Sequence, residues 1–495
     1  MPQTDLPPPP PLAEPNLAAV IRRHAEQRPD APALVEVGEQ GRRSMTWAEF
    51  DQAVTESASG LVELGLVAGQ RVLIQAKPTL DAVATWFGAL RAGIVAVPVN
   101  PGKTPNELRR VALHCGARVL VGDPETDLPG VRAVPLDELR SHAGSAPLAS
   151  PQDPEAVGAI IYTSGTSGNP KGAMLSHRAL IAHCVGAYRR GIARRDATVL
   201  CCLPLFHVFG LNAVLGAGVF VGATTVFVEG IPENLGEILR AEQITHLPLI
   251  PSVLYRLTLN EDLTDACRSL QTVTSGAAPL PAALAAHWLR LTGIPVHQGY
   301  GLTEAAPGVS NTIGTDWLGS NHVGRALPGV EIRIGDGSEP TEPGEVMIRG
   351  DNLFSGYWPD GTDGVSEDGW FATGDVGYLM GEDLFLVDRL REVIIVSGFN
   401  VYPAEIEDVL EQHPDVAAAA VVGQADENTG ERVVAFVTGD AVQAAAVLTF
   451  ASARLARYKL PSEILVIKAM PRSASGKIRK NILRDMLDRT DEDDF

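Results

Sequence analysis

Between two apolar runs the chain carries Tyr162-Thr163-Ser164-Gly165-Thr166-Ser167-Gly168-Asn169-Pro170-Lys171-Gly172. This segment holds three glycines, four Ser/Thr hydroxyls and one lysine. Upstream, 156–161 reads as a short buried strand. Downstream, the spacing of Leu175, Leu180, Ile181 and Val185 predicts a helix over 173–188. A strand feeding a Gly/Ser/Thr loop and then a helix presents backbone amides and hydroxyls to a phosphate. Gly165, Gly168 and Gly172 let the backbone approach a ligand closely. Lys171 adds a mobile point charge. The alternative is a solvated linker, but linkers rarely lie between a buried strand and a helix with a single lysine. The segment is not a Walker A loop, because Pro170 stands where that pattern needs glycine.

A chain of 495 residues, 45% of them apolar, needs two or more domains. Its net charge of −20 argues against nucleic acid or an anionic membrane surface as partner. The five cysteines show no metal-ligand spacing, and Cys201 and Cys202 lie in an apolar run that reads as buried. A reducing, cytoplasmic setting is expected. The start of the chain is proline-rich without an apolar signal core, so 1–15 is expected to be a disordered tail. The apolar stretch 211–228 contains Asn212, glycines and a Thr pair, which suits a buried helix and strand; no membrane span is expected.

Strand and helix patterns alternate from residue 16 to about 100, as in a parallel sheet with helices on both faces. Thr46 and Glu49 have capping-box spacing at a helix start. Five further strings stand out: 203–210 (LPLFHVFG), 275–280 (SGAAPL), 299–304 (GYGLTE), 370–375 (WFATGD) and 471–480 (PRSASGKIRK). Each has a plain alternative. A histidine beside aromatics, such as His207, is more often packing than chemistry. Tyr300 could be a core aromatic, Glu304 a surface carboxylate, Asp375 a turn residue and Lys477 a solvated charge. Taken together, an aromatic face, a hydroxyl and a carboxylate suit a nucleotide with Mg²⁺.

The 162–172 segment is very similar to the phosphate loop of adenylate-forming enzymes, the family of acyl-CoA synthetases, aryl-CoA ligases, luciferases and peptide-synthetase adenylation domains. The five strings resemble further motifs of that family and appear in its order. The resemblance implies an α/β fold. A large N-terminal domain (16–388) would have parallel-type sheets, flanking helices and a β-subdomain. A hinge would follow at 389–391, then a small mobile α+β domain (392–490) and an acidic tail (491–495). It implies ATP, Mg²⁺ and coenzyme A as cofactors or co-substrates.

By the same resemblance, Thr163, Ser164, Gly165, Thr166, Ser167, Gly168 and Lys171 hold phosphates. Gly276, Ala277 and Ala278 border adenine and the acyl group. Tyr300, beside Gly301, stacks on adenine. Thr303 binds the α-phosphate, Glu304 (with Thr163) holds Mg²⁺, and Asp375 and Arg389 reach the ribose. Lys477, Thr303, Glu304 and His207 are the implied catalytic residues. Arg391 would be the pivot, where the family commonly has Lys or Asp, and Gly398 would enter the site for the thiol step. The acid's pocket would be lined by His207, Phe209, Asn212, Ala213, Gly276, Ala277, Ala305 and Ala306. Small apolar residues there favour a medium- or long-chain fatty acid, with an aryl acid as runner-up. A carrier protein in place of CoA, or a non-catalytic nucleotide binder, are the remaining alternatives.

Overall fold

The computed structural model divides into two units, Met1–Ile332 with Ile348–Phe371, and Arg333–Met347 with Ala372–Phe495. It describes residues 15–38, 41–122, 128–143, 153–163, 171–260, 262–316, 319, 321–335, 340–389, 392, 394–396, 399–426, 430–455, 457–473 and 476–492. The tip of the expected phosphate loop (164–170), Arg391 and Gly398 lie outside these residues, as do the side chains of Thr163 and Arg389 and most of the two expected tails.

The larger unit holds two sheets. The first runs in the order Arg132–Pro135, Val119–Gly122, Arg71–Gln75, Val95–Val99, Val157–Thr163 and Lys171–Ser176. Its ladders are parallel except the last, an antiparallel hairpin. Parallel ladders need both faces covered, and the central strand Val95–Val99 is accordingly apolar and buried at every position. Helix Leu80–Arg91 is likewise buried at all but one of its positions. Helix Trp47–Glu63 starts at the expected capping box, with the Thr46 side chain and Glu49 each bonding the other's backbone.

One element differs from expectation. Residues 171–176 are a strand, and the helix begins only at His177 and runs to Arg190. Ser176 caps it, accepting from the Ala179 N–H at 3.2 Å. Ala173, Met174 and Leu175 stand opposite Ile161, Ile160 and Ala159 in the ladder, and the Met174 backbone bonds outward to Ser355 and Gly356. The 164–170 segment therefore links two antiparallel strands rather than entering a helix, and Thr163 and Lys171 face each other at its base.

The second sheet carries a parallel run: Pro32–Gly38, Thr224–Val228, Thr198–Cys201, His246–Leu249, Thr272–Ser275 and Val296–Gly301. The antiparallel strands Gly308–Asn311 and His322–Ala326 follow. The apolar stretch 211–228 is buried as expected, a π-helical segment Phe209–Gly216, a helix Ala217–Val221 and the strand Thr224–Val228. Among the described residues no helix is long and apolar enough to cross a membrane. All five cysteines are buried and free.

In the smaller unit Phe371–Met380 and Asp383–Arg389 form an antiparallel pair. A second sheet combines Phe399–Val401, Ile394–Val396, Gly430–Thr438, Ala418–Asp426 and Glu463–Val466. Strand alternation splits its core into two faces. Val421, Ala435 and Val437 pack with Ile406 and Leu410 of helix Pro403–Glu411 and Val447 of helix Ala444–Ser452. Ala420, Val422, Val434 and Phe436 pack with Leu483 and Leu487 of helix Lys480–Glu492. That helix reaches two residues into the expected acidic tail.

Candidate active site

Parallel strands deliver their carboxyl ends to one edge of a sheet, where open α/β folds bind ligands. Three expected segments leave such ends in the larger unit: the one with His207 and Phe209 after Thr198–Cys201, the one from Gly276 after Thr272–Ser275, and Thr303–Glu304 after Val296–Gly301. Two of them touch. A Cβ added to Gly276 would come within 3.2 Å of the Phe209 ring. Gln298 ties the second to the third by accepting from the Leu280 N–H at 2.6 Å. Ala277 and Ala306 take φ values of +66° and +57°. A side chain in that left-handed region costs about 1–2 kcal/mol, and such strain collects at ligand sites.

Thr303–Ala305 forms a single 3₁₀ turn. One Glu304 oxygen accepts from the Tyr357 hydroxyl at 2.5 Å. The Lys171 ammonium stands 4.8 Å from the centre of the same Tyr357 ring and 3.0 Å from Asp363. Glu304 and Lys171, 133 residues apart in the chain, are thus brought to one tyrosine. The backbone explains how: Ser355 and Trp358 donate to Met174 and Gly172, laying 354–358 along the Lys171–Ser176 strand. Sequence reasoning missed Tyr357 and Asp363. The Gly356-Tyr357-Trp358 string between two recognised motifs was the available signal for the tyrosine.

Asp363 neutralises Lys171 on an exposed surface, where an ion pair contributes little. Its φ of +52° is one that asparagine also tolerates, so Asp363→Asn changes charge without straining the turn. If Lys171 meets a triphosphate, this variant should lower the KM for ATP by roughly 1.5- to 5-fold, the reach of an exposed pair. Initial rates against ATP concentration check it; a raised KM would remove Lys171 from the phosphate site.

His207, Phe209 and Ala213 are half-buried and remain able to line a pocket, as do Ala277 and Ala278. Asn212, Ala305 and Ala306 are not. Asn212 is 1% exposed, and its amide donates to the carbonyls of Ala306 at 2.6 Å and Leu180 at 3.1 Å. Ala305 and Ala306 are fully enclosed. These residues build the wall's backing, because the turn after Glu304 folds inward. His183, also missed, is there too. Burial lowers its imidazole to about 4, so the ring is neutral and its Nδ1 accepts from the Gly308 N–H at 3.1 Å.

In the smaller unit Asp375 and Arg389 stand opposite each other in the ladder. Asp375 is buried, and its backbone N–H donates to Thr373 Oγ1 at 3.1 Å. Lys477 is exposed at the end of a tight turn closed by Ser473 N–H to Lys477 O at 2.8 Å.

A fold that brings a carboxylate from the end of one sheet to a tyrosine and to a lysine on the hairpin of the other, with a separate α+β unit bearing an exposed lysine, has the parts of a nucleotide-activating enzyme. The profile of the AMP-binding enzyme family matches residues 21–358, and that of the AMP-binding enzyme C-terminal domain matches 405–477. An indoleacetate–CoA ligase of Aromatoleum aromaticum is 33% identical, covering 96% of this chain and 98% of its own length. A long-chain-fatty-acid–CoA ligase of Escherichia coli O157:H7 is 31% identical over 95% of this chain and 94% of its own. The crystal structure of ATP-bound MatB from Rhodopseudomonas palustris matches with a TM-score of 0.89 at 27% identity, covering 96% of this chain and 99% of that one. The chain belongs to the adenylate-forming AMP-binding enzymes, and it is an acid–thiol ligase.

Proposed function

We propose that this enzyme joins a carboxylic acid to coenzyme A in two half-reactions at one site. A carboxylate oxygen attacks the α-phosphorus of ATP and the bond to pyrophosphate breaks, giving an acyl-adenylate. The CoA thiolate then attacks the acyl carbonyl and AMP leaves. The observation that carries this is the Glu304–Tyr357–Lys171 cluster, which joins the end of one sheet to the hairpin of the other.

The residues fit a nucleotide-borne Mg²⁺. Among the described residues no three acidic, His or Cys groups converge to cage a metal, and such an ion needs only one or two carboxylates beside substrate phosphates. Glu304 would hold it, with Thr163 at the base of the hairpin loop, and the ion would supply charge neutralisation at the phosphates. The chain's own groups do the rest. Tyr357 fixes one Glu304 oxygen and leaves the other to the ligand. Thr303 and Lys477 donate to the α-phosphate oxygens, where charge gathers as the bond to pyrophosphate breaks. Tyr300, with Gly301 and Ala278, takes the adenine, and Asp375 and Arg389 take the ribose. The 164–170 loop and Lys171 hold the outer phosphates. His207 and Phe209 place the acid. Residues 389–391, pivoting at Arg391, would then exchange Lys477 for the segment at Gly398 before the thiol step.

For the acid, the half-buried Phe209 ring beside Gly276 supports an aryl or arylalkyl acid first, since aromatic rings pair favourably, offset or edge to face. The relative named as an indoleacetate–CoA ligase supports the same class. An alkyl acid is the second reading, supported by the long-chain relative.

AMP release across a panel of aryl, arylalkyl and straight-chain acids, with and without CoA, tests this. CoA-dependent release that peaks on aryl acids is expected. A peak at one alkyl length moves the substrate to the second class. Release that ignores CoA points to a carrier protein as acceptor, and no release with any acid sinks the proposal.

A further inference from the structure

The turn that carries Thr303 and Glu304 is bonded on its far side by three buried polar side chains from distant parts of the chain. Asn352 is 2% exposed, and its Nδ2 donates twice, to Ala305 O at 2.9 Å and Gly308 O at 2.8 Å. Asn212 Nδ2 donates to Ala306 O at 2.6 Å. His183 Nδ1 accepts from Gly308 N–H at 3.1 Å. Two backbone bonds complete the set: Phe354 N–H to Glu304 O at 2.9 Å and Leu302 N–H to Pro307 O at 3.0 Å. Every carbonyl from 304 to 308 therefore has a donor.

The fit is close. A Cβ on Gly308 would come within 2.7 Å of the His183 ring, so the imidazole reaches the backbone only because residue 308 is glycine. The arrangement also leaves polar atoms over. His183 Nε2 and Asn352 Oδ1 are buried with no hydrogen-bond partner among the described residues. An apolar side chain of the same volume would remove those two atoms but leave the Ala305 and Gly308 carbonyls, or the Gly308 N–H, without their partner. What the polar side chains add is a fixed path for residues 305–308, including the left-handed Ala306.

We propose that Asn352, Asn212 and His183 are positioning residues for adenylation. Without touching substrate, they hold the backbone that sets where the Thr303 hydroxyl and Glu304 carboxylate stand. This rests on the role given above to Thr303 and Glu304. Loss of the brace lets the turn relax, and a displacement of about 1 Å at a reacting group can cost about 100-fold.

The test uses full-length Asn352→Leu, similar in size and unable to donate, with His183→Leu and His183→Gln as a second pair. The Gln carbonyl can replace Nδ1 as acceptor. Three quantities are read: kcat for acid-dependent ATP–pyrophosphate exchange, the Kd of a non-hydrolysable ATP analogue by calorimetry with and without Mg²⁺, and the thermal midpoint. The expected result is a kcat loss of roughly 100-fold in both Leu variants, with partial recovery in His183→Gln. Analogue binding should weaken severalfold with Mg²⁺ present and change little without it.

Leu variants that keep kcat and Mg²⁺-dependent affinity within about threefold of wild type would overturn the proposal. So would binding that weakens equally with and without Mg²⁺ in step with a lowered thermal midpoint, because that is general loosening. Wild-type protein that binds the analogue yet exchanges no pyrophosphate with any acid would instead defeat the adenylation reading, and the Mg²⁺ dependence of binding would still decide the brace.

Discussion

Lys477→Ala is expected to lower acid-dependent ATP–pyrophosphate exchange by about 100- to 1,000-fold, the usual cost of removing one donor from a developing anion. The attacking carboxylate and the phosphate are both anions, so a cation at the α-phosphate counts for more in the transition state than in the ground state. The KM for ATP should therefore change much less than kcat. Lys477 is exposed, and its turn is closed by backbone bonds and by Arg472 donating to Gly476 O at 2.8 Å, so truncation at Cβ leaves that geometry in place. The same variant supplied with pre-formed acyl-adenylate and CoA should make thioester within a few-fold of the wild-type rate. Equal losses in both half-reactions would mean that Lys477 serves the fold or the hinge. No loss in either would remove it from the site.

The second large effect is expected at Glu304. Glu304→Gln removes one negative charge and keeps an oxygen that can accept from the Tyr357 hydroxyl, so the local geometry survives. If the carboxylate holds Mg²⁺ on the nucleotide, kcat should fall about 100-fold and the Mg²⁺ concentration for half-maximal rate should rise by a similar order. Tyr357→Phe is the control, since it removes the hydroxyl and keeps both the charge and the ring under Lys171. A Mg²⁺ titration curve that does not move in Glu304→Gln would show that the metal is held elsewhere.

What could be read from sequence was local. The Thr46–Glu49 capping box lies within four residues, and Pro403 at the head of its helix is equally local. Residues 173–176 were expected to begin the helix because their apolar spacing suits one, while the strand Val157–Thr163 that captures them is a tertiary partner. The brace behind Glu304 was invisible for a similar reason. His183, Asn212, Ala306 and Asn352 lie far apart in the chain, and nothing near Asn352 tells a bonded asparagine from a solvated one. Asn212 shows the converse error. A polar residue in an apolar motif suggested contact with substrate, whereas its amide is spent on two backbone carbonyls.

The enclosed cysteines bear on how this enzyme can be watched. Disulfide reagents such as Ellman's attack thiolates, and desolvation pushes the thiols of Cys115, Cys184, Cys201, Cys202 and Cys267 upward, the last two to about 12. In native enzyme the reagent should colour only with the CoA that is fed to it, so thiol consumption can be followed continuously against a blank protein background. Once fed no CoA, the same reagent becomes a clock. Each protein sulfur that begins to react marks the opening of the core segment around it, and four of the five report on four separate stretches of the larger unit.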